Sequence, residues 1–235
     1  MMKHFIIGAF LLCATGGCSS SETPKAEEIQ RFDVDGTGFV DVVDHRFLPL
    51  VPGTRSTFVH ALGRGRIDVE VMMEKQLVND VGATEIRATT TLDDEVVKET
   101  YGRYAQDAAG NVWHLGDTTC AFDEGECFSM EGTWGWGVDG GLPGVVLAAS
   151  PAVTGERYYE ATAPGAQDIV EVVGTLDSVT VPAGTFEDCL VTRTWRLRPA
   201  RSEIKSYCAG VGLVRVVRAR FIDELVEVSG PLGEL

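Results

Sequence analysis

Three features of this sequence predict an all-β fold. Short runs rich in Val, Thr, Tyr and Phe recur along most of the chain, turn residues separate them at regular spacing, and few windows carry a 3.6-residue apolar period. About a dozen antiparallel strands of this kind must hide their edges. The expectation is therefore a single strongly curved antiparallel sheet or an open barrel, with a short N-terminal helix or tether before it.

Residues 1–17 stand outside that fold. Lys3 and His4 form a basic region, Phe5 to Ala14 an apolar run, and Thr15-Gly16-Gly17 a small-residue site directly before Cys18. The apolar run is about ten residues long against the roughly twenty that span a bilayer, so it reads as a signal h-region. Gly16, Gly17 and Cys18 are similar to a bacterial lipoprotein signal peptide, and Ser19 resembles the residue that follows the cysteine in lipoproteins sent to the outer membrane. The resemblance implies cleavage before Cys18 and acylation of its sulfur. A lipid-anchored cell-envelope protein is expected, each buried methylene of the anchor adding about 0.8 kcal/mol.

Residues 18–46 read as an acidic tether with one recognisable constellation. Phe32 to Asp44 resembles an EF-hand calcium loop, with oxygen ligands from Asp33, Asp35, Thr37, the Phe39 carbonyl, Asp41 and Asp44. Gly38 falls at the sharp turn and Val40 at the apolar position. Ile29 and Phe32 are spaced as the apolar residues of an entering helix that Thr23-Pro24 would start. Asp44 stands where Glu is usual, Pro49 cuts any exiting helix to about one or two turns, and no second such loop pairs with it. Calcium is thus the single candidate cofactor, and none is required elsewhere. The alternative is a plain acidic linker.

From residue 47 to 230 one β domain is expected, followed by a tail over residues 231–235. Its strands read in order as Thr57 to Ala61, Arg66 to Met73, Thr84 to Leu92, Glu95 to Gln106 and Val112 to Leu115. They continue as Arg157 to Thr162, Ile169 to Gly174, Ser178 to Val181, Phe186 to Leu197, Glu203 to Cys208, Gly212 to Phe221 and Leu225 to Val228. Between the halves, Met130 to Glu156 is rich in Gly and Pro and holds Trp134 and Trp136. Two readings fit this segment: a loop that lines a pocket mouth, with Trp134, Trp136, Asp139 and His114 as ligand-loop candidates, or a crossover that plugs one barrel end and buries its tryptophans.

Once the signal is removed and Cys18 is acylated, Cys120, Cys127, Cys189 and Cys208 remain. Three pairings are possible. Asp123-Glu124-Gly125 reads as a turn that brings Cys120 to Cys127. Two strand-like runs meeting near Arg198 to Arg201 would set Cys189 opposite Cys208. The two local disulfides are the expectation, in keeping with an oxidising compartment.

Charge and motifs narrow the function classes. The 20 basic and 35 acidic residues give a net charge of −15, which repels nucleic acid. There is no G-x-S-x-G elbow, no H-E-x-x-H, no Walker loop and no G-x-G-x-x-G after a strand. Only His45, His60 and His114 lie beyond the signal, each isolated, so no enzyme is expected. The leading reading is a non-enzymatic envelope lipoprotein whose curved sheet binds an apolar or amphipathic ligand, or an envelope partner protein. Its rival is a structural protein with a filled core and a calcium-ordered stalk. A cryptic hydrolase would need His114 beside a carboxylate and a hydroxyl in one cleft.

Five segments resemble a widespread family of uncharacterised bacterial secreted and lipoprotein β proteins. They are FLPLVPGT (Phe47 to Thr54), YAQDAAGNVWHLGD (Tyr104 to Asp117), EGTWGWGVDGGLPGVVL (Glu131 to Leu147), VPAGTFEDCLVT (Val181 to Thr192) and YCAGVGLV (Tyr207 to Val214). The resemblance implies an extracytoplasmic location and one β domain, and implies no activity. This chain departs from it at His114, where an aromatic such as Tyr is usual, and at Gly135, where an acidic residue is expected.

Overall fold

A computed structural model describes residues 28–34, 38–60, 65–149, 153–163, 166–197 and 200–233. Cys18, Asp35 and Thr37 lie outside these described residues, as does the whole signal segment. Three short strands come first: β1 (Phe39–Val40), β2 (Asp44–His45) and β3 (Leu48–Pro49). A meander follows through β4 (Arg55–His60), β5 (Gly65–Val78), β6 (Val81–Leu92), β7 (Glu95–Asp107) and β8 (Val112–Asp123). After an excursion through β9 (Glu126–Ser129) and β10 (Trp134–Gly135), a second meander begins with β11 (Leu142–Leu147), β12 (Arg157–Ala163) and β13 (Ala166–Val181). It ends with β14 (Gly184–Leu197), β15 (Ala200–Cys208), β16 (Gly212–Arg218) and β17 (Phe221–Ser229).

The two meanders join edge to edge. β17 pairs with β4 at one seam and β11 pairs with β8 at the other, so twelve antiparallel strands close into a barrel. Closure leaves no long edge in the wall, which answers the edge problem that so many strands pose. Local chemistry favours the hairpins: Asn79-Asp80 and Asp93-Asp94 take φ of 46° and 63° and of 49° and 68°, the left-handed pair whose twist matches the flanking strands.

Alternation then sorts side chains to two faces. Outward on β4 to β6, Arg55 and Arg87 both grip Glu70, at 2.7 and 2.6 Å, and Arg66 holds Asp68 at 2.7 Å. Across β12 to β14, Arg157 and Arg193 share Glu171. These ion pairs lie on the outer face of the wall. Inward, Phe58, Val71, Val112, Val146 and Leu225 are buried and form the apolar core around one end.

That end is closed by the chain before β4. Val43 and Leu50 pack onto Val71, Val112 and Val146, the Leu50 amide donates to the Val43 carbonyl at 2.8 Å, and Arg46 reaches Asp188 across the rim. Twelve strands enclose more space than their own side chains fill, so a plug of this sort is needed. Among the described residues before it, 29–34 form an extended strap, and Thr23-Pro24, the expected start of an entering helix, lies outside the described residues. Ile29 packs against Tyr159, Ile169 and Trp195, Gln30 bridges to Tyr158, and Phe32 meets Trp113 and Tyr158 edge-on at 6.2 and 5.8 Å.

Two features differ from the strand reading. The segment Met130 to Glu156 is neither a mouth loop nor a plug along its whole length, because it supplies wall strand β11. Pro143 and Gly144 disguise that strand. At Pro143, β11 pairs with β12 alone, and β8 joins from Gly144 onward. Gly144 permits the close approach of β11 to β12: a Cβ there would stand 2.2 Å from the Tyr159 carbonyl oxygen. The second difference is β13, one strand where two short runs were expected, with a register shift between Val172 and Gly174 interrupting the alternation.

Both local disulfides are present. Cys120–Cys127 closes the β8–β9 hairpin with Cα atoms 5.7 Å apart. Cys189 and Cys208 face each other directly in the β14–β15 register, at 4.0 Å between Cα atoms.

Candidate functional site

Above the plug, the barrel interior holds a cavity of about 190 Å³. Its wall is largely apolar, with Leu50, Phe58, Val71, Ile86, Val146 and Leu213 among its lining. One side is polar, built from Tyr104 on β7, Glu160 on β12 and Lys205 and Tyr207 on β15. A wider depression of about 280 Å³ on the outer wall is lined by Arg55, Arg66, Asp68, Glu70 and Arg87, which are already paired with one another as described above.

Bulges aim the polar groups. The β12–β13 register slips between Tyr159 and Ala161, and Glu160 is the residue left over, turned into the barrel and buried. On β8 the register against β7 slips between Gly116 and His114, with Leu115 left over. Residues three apart in a regular strand face opposite ways, so this slip is what lets His114 and Asp117 meet.

From Glu160 a chain of charges runs up the barrel. The Lys205 ammonium lies 3.9 Å from Glu160 Oε1 and 3.2 Å from Glu203, and Glu203 is held by Arg218 at 2.9 Å. Arg218 also pairs with Asp223, which accepts a 2.9 Å hydrogen bond from His60 Nδ1. Burial raises the Glu160 carboxyl above its ordinary range, and the Lys205 charge offsets this only in part. Burial opposes the Lys205 charge as well, but Glu160, Tyr207 and Glu203 outweigh it and hold the ammonium well above the ordinary lysine value. Glu160 Oε2 is buried with no hydrogen-bond partner.

Beside this chain lies an aromatic group. His114 stacks on Tyr104 with centroids 4.8 Å apart and planes 9° from parallel, and Trp134 meets the imidazole edge-on at 5.0 Å. Asp117 accepts from His114 Nε2 at 2.9 Å and from Trp134 Nε1 at 3.4 Å. Nδ1 of His114 is buried without a partner, so no hydroxyl is hydrogen-bonded to this base. The pair has the base and the orienting carboxylate of a hydrolytic triad, with no hydroxyl hydrogen-bonded to the base among the described residues.

The other sequence candidates are dispersed. Trp136 is half-buried against Phe39 at 6.5 Å, and Asp139 sits exposed in a turn with φ of 48°. Of the calcium-loop ligands, Phe39 lies in β1 paired with Asp107, Asp41 is exposed beside Lys75, and Asp44 accepts from Gln106 Nε2 at 2.7 Å. Asp33 is exposed. Among the described residues, no group of three or more His, Cys, Asp or Glu side chains is placed to hold a metal ion.

Sequence reading reaches His114 and Trp134 but misses Tyr104, Glu160, Lys205 and Tyr207. The available signal was a charged residue inside a strand-like run, Glu160 in RYYEATA and Lys205 in SEIKSYC, where burial forces pairing. Comparison with protein-family models, with curated proteins and with solved structures finds no match.

Proposed function

We propose that this protein is a lipid-anchored envelope protein that holds a small amphipathic molecule inside its barrel and does no chemistry on it. The observation that carries the reading is the cavity: about 190 Å³, mostly apolar, with a polar side. An engineered apolar cavity of roughly 150 Å³ is enough to bind benzene, so the occupant is of single-ring or short-chain size. Beyond the cavity, the chain of paired charges from Glu160 to His60 lines the barrel. The lipoprotein-like signal before Cys18 supports an anchored location, and Ser19 is in keeping with the outer membrane.

The test is a Val146→Phe variant titrated with cyclohexane by NMR. Val146 lines the cavity, and the larger ring fills it. The wild type should show saturable shifts at core methyl groups, and the variant should show none while keeping its melting temperature. Absence of saturable shifts in the wild type would leave a purely structural protein.

A further inference from the structure

The polar side of the cavity presents donors from three residues beside one unpartnered acceptor, Glu160 Oε2. Lys205 carries three N–H donors, with Glu203 at 3.2 Å and Glu160 at 3.9 Å, the latter beyond hydrogen-bond reach. The phenols of Tyr104 and Tyr207 line the same cavity, and neither is hydrogen-bonded to another described residue. Burial pushes the Tyr207 phenol up to about 12 and the Tyr104 phenol well above its ordinary value, so both remain donors through the neutral range. Glu160 is the one carboxylate on the lining.

Charge decides which acceptor fits. Lys205 already lies between Glu160 and Glu203, and Arg218 is shared by Glu203 and Asp223. A ligand anion would sit beside Glu160 and a ligand cation beside Lys205, each meeting a like charge in a low-dielectric interior. We infer that the cavity selects a single-ring or short-chain molecule ending in an uncharged carbonyl oxygen, a ketone, ester or amide, held by Tyr104, Tyr207 and Lys205. This inference rests on the binding function proposed above.

The experiment titrates the full mature chain with four probes of similar size: cyclohexane, cyclohexanone, cyclohexylammonium and cyclopentanecarboxylate. Tyr104→Phe and Tyr207→Phe are the informative variants, because removing an unpaired hydroxyl leaves the ion pairs intact. At pH 7 cyclohexanone should bind at least about ten-fold tighter than either ion. Each Phe variant should weaken cyclohexanone by about five- to ten-fold and leave cyclohexane within about two-fold. Tighter binding of the ammonium or the carboxylate overturns the inference. Equal effects of the Phe variants on cyclohexane and cyclohexanone overturn it too, and leave the cavity reading standing. Failure of all four probes to bind overturns both.

Discussion

At His114, burial alone would strip the imidazole of its proton, but the Asp117 carboxylate 2.9 Å from Nε2 and the Glu160 charge together outweigh it and raise the pKa. A raised histidine adds stability that is fully present below about pH 6.5 and is lost as pH rises through the folded value. Glu160 acts in the same direction, since a carboxyl raised by burial costs stability as pH climbs from about 4.5 upward. Asp117 and Glu203 set the acid limit. Burial opposes their charges, but His114 for the first and Lys205 with Arg218 for the second win, so both are depressed. Their contribution is lost only as pH falls below about 4. Stability in urea should therefore peak between about pH 4.5 and 6.5 and decline toward pH 8.5, and His114→Gln should flatten the decline above pH 6.5. Parallel declines in the two proteins would show that His114 carries no proton for Asp117. Only His114 of this group is legible in the sequence, because the facing of Glu160 and Asp117 depends on bulges that no local pattern marks.

Among the elements, β11 carries the closure. Gly144 brings its backbone against the bulge at Glu160, where a Cβ would lie 2.2 Å from one carbonyl oxygen and 2.7 Å from a carbonyl carbon. Backbone cannot yield as a flexible side chain does, so Gly144→Ala should cost about 3 kcal/mol, at the upper end for overpacking. Gly140→Ala is the control: its φ is 79° with nothing within 4 Å of the added carbon, and strain alone should cost about 1 kcal/mol. Chemical denaturation of both variants checks the contrast, and equal losses would remove the special role of Gly144. Most wall strands were legible because alternation and turn residues are local. Expected strand Glu95 to Gln106 falls one residue short of β7, and both disulfides follow from the hairpins around them. β11 was hidden because a proline and a glycine are tolerated at a seam, where the neighbouring strand supplies only part of the ladder.

For the whole molecule, the sequence speaks of strand number but not of closure. Pairing of β17 with β4 joins residues far apart in the chain, and no local signal specifies it. The plug before β4 straddles the boundary expected at residue 46 between tether and β domain, because its apolar residues, Val43, Leu48 and Leu50, gain meaning only once a barrel end stands open above them. Anchoring belongs to this scale as well. Cys18→Ala should release the protein from membranes while its melting temperature stays unchanged, because the described wall contacts of the strap are made by Glu28, Ile29, Gln30 and Phe32. Membrane retention of that variant would rule out acylation as the anchor. The central claim is an interior that receives a small amphipathic guest, and a crystal structure of the mature chain grown with cyclohexanone tests it most directly. Ring density among Phe58, Val71 and Val146, with the carbonyl oxygen toward Tyr104, Tyr207 and Lys205, is the predicted result. A barrel whose side chains have collapsed to fill that space would contradict it.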